Sequence, residues 1–295
     1  SLGSSRRMIR AASLFAAACF LVEPGARAQT VVLSPKPDAA NPVELAETTT
    51  IELKDGKLQL SILNQTLQGE ANALLRDKIT RTFKGADEQE IDFHESTRSI
   101  LFSMGGKTSD PKLSGGRLAG KKVIGRREEG GWKFGLAGGK PTPAEENALK
   151  QFSVFNRVLE SIRGLYGDEP REVGKPWRPD FSALTRIWPG LSVTIDCRVD
   201  ELSERDGRQL ARITVGGLVK AIYGEKNHME ARFTGSIIRD LQDGMDLEAG
   251  LNGTVRFQGV LGKIEGEGNG NAATIEAPLS LKRSVKVLKH RDADR

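Results

Sequence analysis

Long stretches of this chain alternate apolar and polar residues one by one, and that period-two pattern restricts them to antiparallel strands with one buried face. Leu191-Ser-Val-Thr-Ile-Asp-Cys-Arg-Val places Leu191, Val193, Ile195, Cys197 and Val199 on one side and the polar residues on the other. Comparable runs cover 48–53, 57–64, 90–102, 118–127, 132–136, 209–222, 228–239, 246–251, 253–261 and 274–288. The segment 72–83 is less regular and reads as a strand, although Ala73-Leu74-Leu75 would equally suit the start of a helix. Asp-Gly pairs at 55–56, 206–207 and 243–244 separate such runs, and an Asp-Gly pair supplies the positive φ angles that two-residue hairpin turns need.

One helix interrupts the strands. Thr142-Pro143-Ala144-Glu145 matches a capping box with Pro at the first helical position. Leu149, Phe152, Phe155, Leu159 and Ile162 then recur at spacings of three and four, which makes one apolar stripe. The expected fold is therefore mainly β (α+β): antiparallel β-meander sheets packed around one long amphipathic helix, left as open sheets or curled into a half-barrel. The expected organisation is a signal peptide (1–28), a flexible tether (29–47), an N-terminal antiparallel β region (48–140), a linking helix (141–164), a C-terminal antiparallel β region (165–289) and a tail (290–295).

The first 28 residues have the order of an export signal: basic Arg6, Arg7 and Arg10, an apolar run from Ala11 to Val22 too short to span a bilayer, and Ala26-Arg27-Ala28 as a cleavage site. Cleavage after Ala28 puts the protein in the periplasm or outside the cell and leaves no transmembrane segment. Ala16-Ala17-Ala18-Cys19 resembles a lipobox with Ala where Leu is usual, so a lipoprotein anchored at Cys19 is the alternative. The leader also explains the charge. Four arginines and one glutamate lie in it, so a formal +5 falls to +2 without them, and a nucleic-acid partner loses its electrostatic support. Without the leader Cys197 is the remaining cysteine, which excludes an internal disulfide, and its place in an alternating run marks it as a small buried hydrophobe.

Catalytic patterns are missing. Met104-Gly105-Gly106-Lys107-Thr108 looks like the end of a phosphate-binding loop, but Leu101 stands where the first Gly belongs and Ser-Asp-Pro follows instead of a helix. His94, His228 and His290 lack metal-ligand spacing and read as solvated, with His290 in the tail. Asp240, Asp243, Asp246 and Glu248 gather round a turn without the spacing of a calcium loop, and read as solvated acids at a hairpin tip. No cofactor and no metal is expected, and the protein reads as non-enzymatic. The large aromatics Trp132, Phe134, Phe152, Phe155, Trp177 and Trp188 cluster near the hairpin, the helix and the following strands. They form either a shared core seam or the lining of a cavity for an apolar ligand.

Glu129-Gly-Gly-Trp132, the Thr142-capped helix and Glu172-Val-Gly-Lys-Pro-Trp177-Arg-Pro-Asp180 resemble, over about residues 115–285, a group of exported bacterial β-rich proteins of unknown function. In that group a helix leads into a strand opening with V-G-x-x-W. The chain departs from the pattern at Arg171-Glu172, where an apolar residue is usual. The resemblance implies an exported protein without recognisable enzymatic residues. The architecture is also similar to that of periplasmic lipoprotein carriers, in which a curved sheet cups a helix around an apolar cavity. Two functions follow as expectations: a lipid or other apolar ligand held between sheet and helix, or an envelope protein bound at exposed strand edges and loops.

Overall fold

The computed structural model describes residues 29–34, 42–62, 65–108, 116–129, 131–162, 165–223, 227–261 and 271–290. The leader and Cys19 lie outside the described residues. The fold is mainly β, with every strand pairing antiparallel, and one continuous 12-stranded sheet dominates it. Along the chain come β1 (Thr30–Val31), β2 (Pro42–Ile62), β3 (Gln65–Phe83), β4 (Glu88–Met104), β5 (Lys107–Thr108), β6 (Lys122–Glu128) and β7 (Gly131–Leu136). Helix α1 (Pro143–Ile162) follows, then β8 (Arg171–Glu172), β9 (Pro176–Trp177) and α2 (Ser182–Ile187). The long strands β10 (Leu191–Arg205), β11 (Arg208–Tyr223), β12 (Asn227–Asp240), β13 (Met245–Leu261) and β14 (Asn271–His290) complete the chain.

The spatial order is β7-β6-β4-β3-β2-β14-β13-β12-β11-β10-β9, with β5 pairing β4 off this path as the twelfth strand, so the sheet is not closed into a barrel. Its N-terminal and C-terminal meanders are fused by β2 and β14, which pair from Pro42↔His290 to Ser61↔Ala272. The sheet itself, and not the helix, thus joins the two β regions. Helix α1 lies against β7 and touches α2, while α2 lies against β10.

Local chemistry explains most element ends. At the start of α1 the Thr142 N–H donates to Glu145 Oε2 (2.8 Å) and the Glu145 N–H to Thr142 Oγ1 (3.3 Å), the reciprocal capping box. These bonds hold the Glu145 carboxyl down at about 2, first through the Thr142 N–H and then through its hydroxyl. Asp206 (φ 55°) and Gly207 (φ 74°) turn between the paired ends Arg205 and Arg208, as an Asp-Gly hairpin should. Asp55-Gly56 does not turn. Asp55 has φ 53° inside the unbroken β2, its N–H donates to Asn72 Oδ1 (2.7 Å), and the register shifts there against both neighbouring strands. It is a β-bulge, because β3 and β14 continue past it on both sides and hold the strand in the sheet. Runs 246–251 and 253–261 are likewise one strand, β13.

The N-terminal segment is not a simple tether. β1 pairs with β8, Leu33 is 1% exposed within the core, its carbonyl accepts from Arg239 Nε (2.7 Å), and 42–47 already belong to β2. Of the turn acids Glu248 is exposed, as expected, but the three aspartates are not solvated. Asp240 is fully buried and pairs with Arg208, which also reaches Asp243 at 2.6 Å. Asp246 accepts from Arg239 (2.6 Å) and from the Tyr166 hydroxyl (2.8 Å). His290 ends β14 and bonds Asp243 (2.9 Å), so it belongs to the fold and not to a tail. In each case guanidinium groups on neighbouring strands make burial of the acid tolerable, and their proximity is a product of the fold.

Candidate functional site

Strand pairing turns the alternating pattern into rows of side chains that cross the sheet. One row reads Ile100, Ala73, Leu53, Leu279, Gly253, Phe233, Gly217, Ile195 from β4 to β10. The next reads Phe102, Ala71, Gly56, then Ala277, Val255, Ala231, Val219, Val193, with Gly56 set beside Ala277 at the bulge. A third reads Met104, Gly69, Leu58, Ile275, Phe257, Met229, Ala221, Leu191. Three consecutive rows across eight strands therefore carry no polar side chain. The opposite face presents exposed Glu52, Arg232, Thr254, Arg256 and Lys282.

Among the described residues, the two buried clusters reach over only part of this apolar face. One buried cluster, with Leu33, Leu165, Phe181 and Leu184 set over Cys197, Val199 and Ile213, protects the β10–β11 end. A second, with Leu149 and Phe152 of α1 over Ile79, Ile91, Phe93 and Val123, protects the β3–β6 end. Leu53, Phe102, Phe233, Val255, Phe257, Ile275 and Leu279 belong to neither cluster and stay half-buried, and Ile100 is 42% exposed. The backbone is tightly coiled here: a Cβ on Gly217, Gly235 or Gly253 would collide with the carbonyl of Thr194, Gly250 or Arg232 on the next strand.

A polar network borders the apolar rows. Arg81 donates to Glu47 (2.6 Å) and to Gln89; Arg283 donates to the other Glu47 oxygen (3.0 Å). Arg98 holds Asp77 through both nitrogens (2.9 and 2.6 Å). Burial would raise the Glu47 carboxyl, but the charges and hydrogen bonds of Arg81 and Arg283 outweigh it and hold it below the usual carboxylate range. Where α1 meets this network, Leu75, Asp77, Arg98, Gln151 and Phe152 line a small cleft.

The six aromatics singled out from sequence fall into separate places. Phe152 packs edge-to-face with Phe134 and Phe93 (both 5.0 Å between centroids), and Trp132 stacks on Phe134 (6.4 Å). Trp177 sits in the opposite cluster, where its Nε1 donates to Leu165 O (2.9 Å) and Arg171 lies over its ring. Trp188 closes α2 with its N–H on Leu184 O. The backbone of Phe155 belongs to α1, and its side chain lies outside the described ones, as do those of Leu159 and Ile162. Among the described side chains the aromatics thus fall into separate groups, and Phe152 borders the cleft. The half-buried rows and the guanidinium network were not singled out from sequence. A readable signal existed for the network: Glu47, Asp77, Arg81 and Arg98 stand in the apolar phase of their strands.

No protein-family model and no curated protein matches this chain. Among solved structures it is similar to lipovitellin, described for its lipid–protein interactions, at 10% identity and a TM-score of 0.38, over 85% of this chain and 27% of that one. The chain thus spans about a quarter of the length of that protein. It is also similar to an outer membrane channel from Pseudomonas putida F1 at 8% identity and a TM-score of 0.24, over 86% of this chain and 99% of the channel. Likenesses this distant carry no argument about function. Among the described residues no helix is long and apolar enough to cross a membrane.

Proposed function

We propose that this protein is a non-enzymatic, exported component of the bacterial envelope that holds an apolar ligand, a lipid or acyl chain, on the apolar rows of its sheet. The observation that carries the reading is the set of three all-apolar rows across eight strands, in which Leu53, Phe233, Val255, Phe257, Ile275 and Leu279 stay half-buried while Leu58, Ala71, Ala231 and Ala277 are buried, and which a polar face backs. An apolar surface of that extent on a single chain marks a binding surface. Burying about eight methylenes of a chain at about 0.8 kcal/mol each supplies roughly 6 kcal/mol, a dissociation constant of roughly tens of micromolar. The leader sequence supports the envelope location.

A second reading, docking of another envelope protein by strand addition, is favoured by β10, which pairs with β11 along its length but with β9 only at Cys197 and Arg198. Native mass spectrometry of the protein extracted from its source envelope separates the two. A retained lipid supports the apolar-face reading; a retained protein with no lipid supports strand addition. In solution, displacement of Nile red by 16-carbon ligands should be at least about tenfold weaker in Ile100→Asp, a change at an exposed position that the fold tolerates. Absence of any hydrocarbon binding by the wild-type protein refutes the apolar-face reading.

A further inference from the structure

Among the described residues, the network beside the apolar rows is unbalanced. Three guanidiniums, of Arg81, Arg98 and Arg283, face two carboxylates, Glu47 and Asp77. Glu47, Asp77 and Arg81 are buried, while Arg98 and Arg283 keep about a fifth of their side chains exposed on the border of the apolar face. Arg283 Nε is buried and has no hydrogen-bond partner among the described residues. A buried N–H on a charged group without an acceptor is costly, and a surplus positive charge in a water-poor place is more so.

The strand register sets these two arginines at the head of the apolar rows. Arg283 lies in the row of Thr49 and Asp77, and Arg98 one row further, beside Leu75, Ile51 and Leu281. From Arg283 down β14 to Ile275 the face runs through Leu281, Leu279 and Ala277, about 26 Å at about 3.3 Å per residue. That length accommodates an extended 16-carbon chain.

We infer that the ligand is an anionic amphiphile, whose carboxylate or phosphate head is bound by Arg283 and Arg98 while its chain lies along the apolar rows. This assignment rests on the apolar-face reading. An anionic head accepts the free Arg283 N–H and neutralises the surplus charge, and guanidinium is the side chain best matched to planar or tetrahedral oxyanions. Asp77 and Glu47 hold the two arginines at the head of the rows, each from the side away from them.

The test compares palmitate, hexadecyl phosphate and hexadecanol as displacers of Nile red from the full chain, with inorganic phosphate as the anion alone. Palmitate and hexadecyl phosphate should bind at least about tenfold tighter than hexadecanol. Arg283→Gln and Arg98→Gln should each shrink that gap by weakening the two anions more than hexadecanol. Inorganic phosphate should displace nothing at concentrations where hexadecyl phosphate saturates. Equal affinity for palmitate and hexadecanol overturns the head-group assignment while leaving the apolar reading in place; no binding by any of the three overturns both. A gap that survives in both variants, or displacement by inorganic phosphate alone, also overturns the assignment. The wild-type comparison decides the question even if a variant fails to fold.

Discussion

Phe152→Ala tests whether α1 is held to the sheet by its aromatic contact. Phe152 is 6% exposed and meets Phe93 and Phe134 edge-to-face, each at 5.0 Å, with Ile79, Ile91 and Val123 in the same cluster. Removing a buried phenyl ring costs about 3–5 kcal/mol, because the transfer energy is lost and the space left behind collapses only partly. Phe93 and Phe134 are fixed in strands and cannot follow the missing ring, which places the cost toward the upper part of that range. For a chain of this size about 2–4 °C is lost per kcal/mol, so the melting temperature should fall by roughly 6–20 °C. Urea unfolding followed by tryptophan fluorescence, with calorimetry beside it, measures the change. The urea dependence should stay as steep as in wild type if only stability has changed. Ile100→Ala, at a position 42% exposed, is the control and should cost less than about 1 kcal/mol. A loss below about 1 kcal/mol in Phe152→Ala, or an equal loss in both variants, would refute the view that this cluster anchors the helix.

Two further expectations concern titration and reactivity. Glu47 titrates below its ordinary range in the folded protein, so the stability it contributes is full above that range and is lost as pH falls through the lower folded value. Glu47→Gln should therefore be less stable than wild type by about 3–5 kcal/mol at pH 7, with the difference shrinking toward pH 3; urea midpoints at the two pH values check this, and a pH-independent difference contradicts it. Burial, aided by the neighbouring Asp196 charge, pushes the Cys197 thiol up to about 12, so it should resist an aromatic disulfide reagent at pH 8 and react fully in urea. Rapid labelling of the native protein would contradict its burial.

Period-two alternation by itself determined that the chain is antiparallel β with one apolar face, and the Thr142 pattern determined where its long helix begins, because both effects act over neighbouring residues. Cys197 was legible as a core residue for the same reason. Tertiary structure alone decided what Asp55-Gly56 does. Asp in the left-handed region followed by Gly serves a hairpin turn at 206–207 and a bulge at 55–56, and partners on both sides of β2 select the bulge. Nor could local pattern show that β2 pairs with β14 at the other end of the chain, which makes one sheet of two meanders. The separation of Trp177 from the Phe152 group follows from that same long-range pairing, as does the candidate site. Alternation told which residues share a face, but whether that face is covered depends on where α1 and α2 land. They pack on β7 and on β10 and touch each other, and among the described residues neither helix's buried cluster extends over the whole of the apolar rows bordered by Arg98 and Arg283.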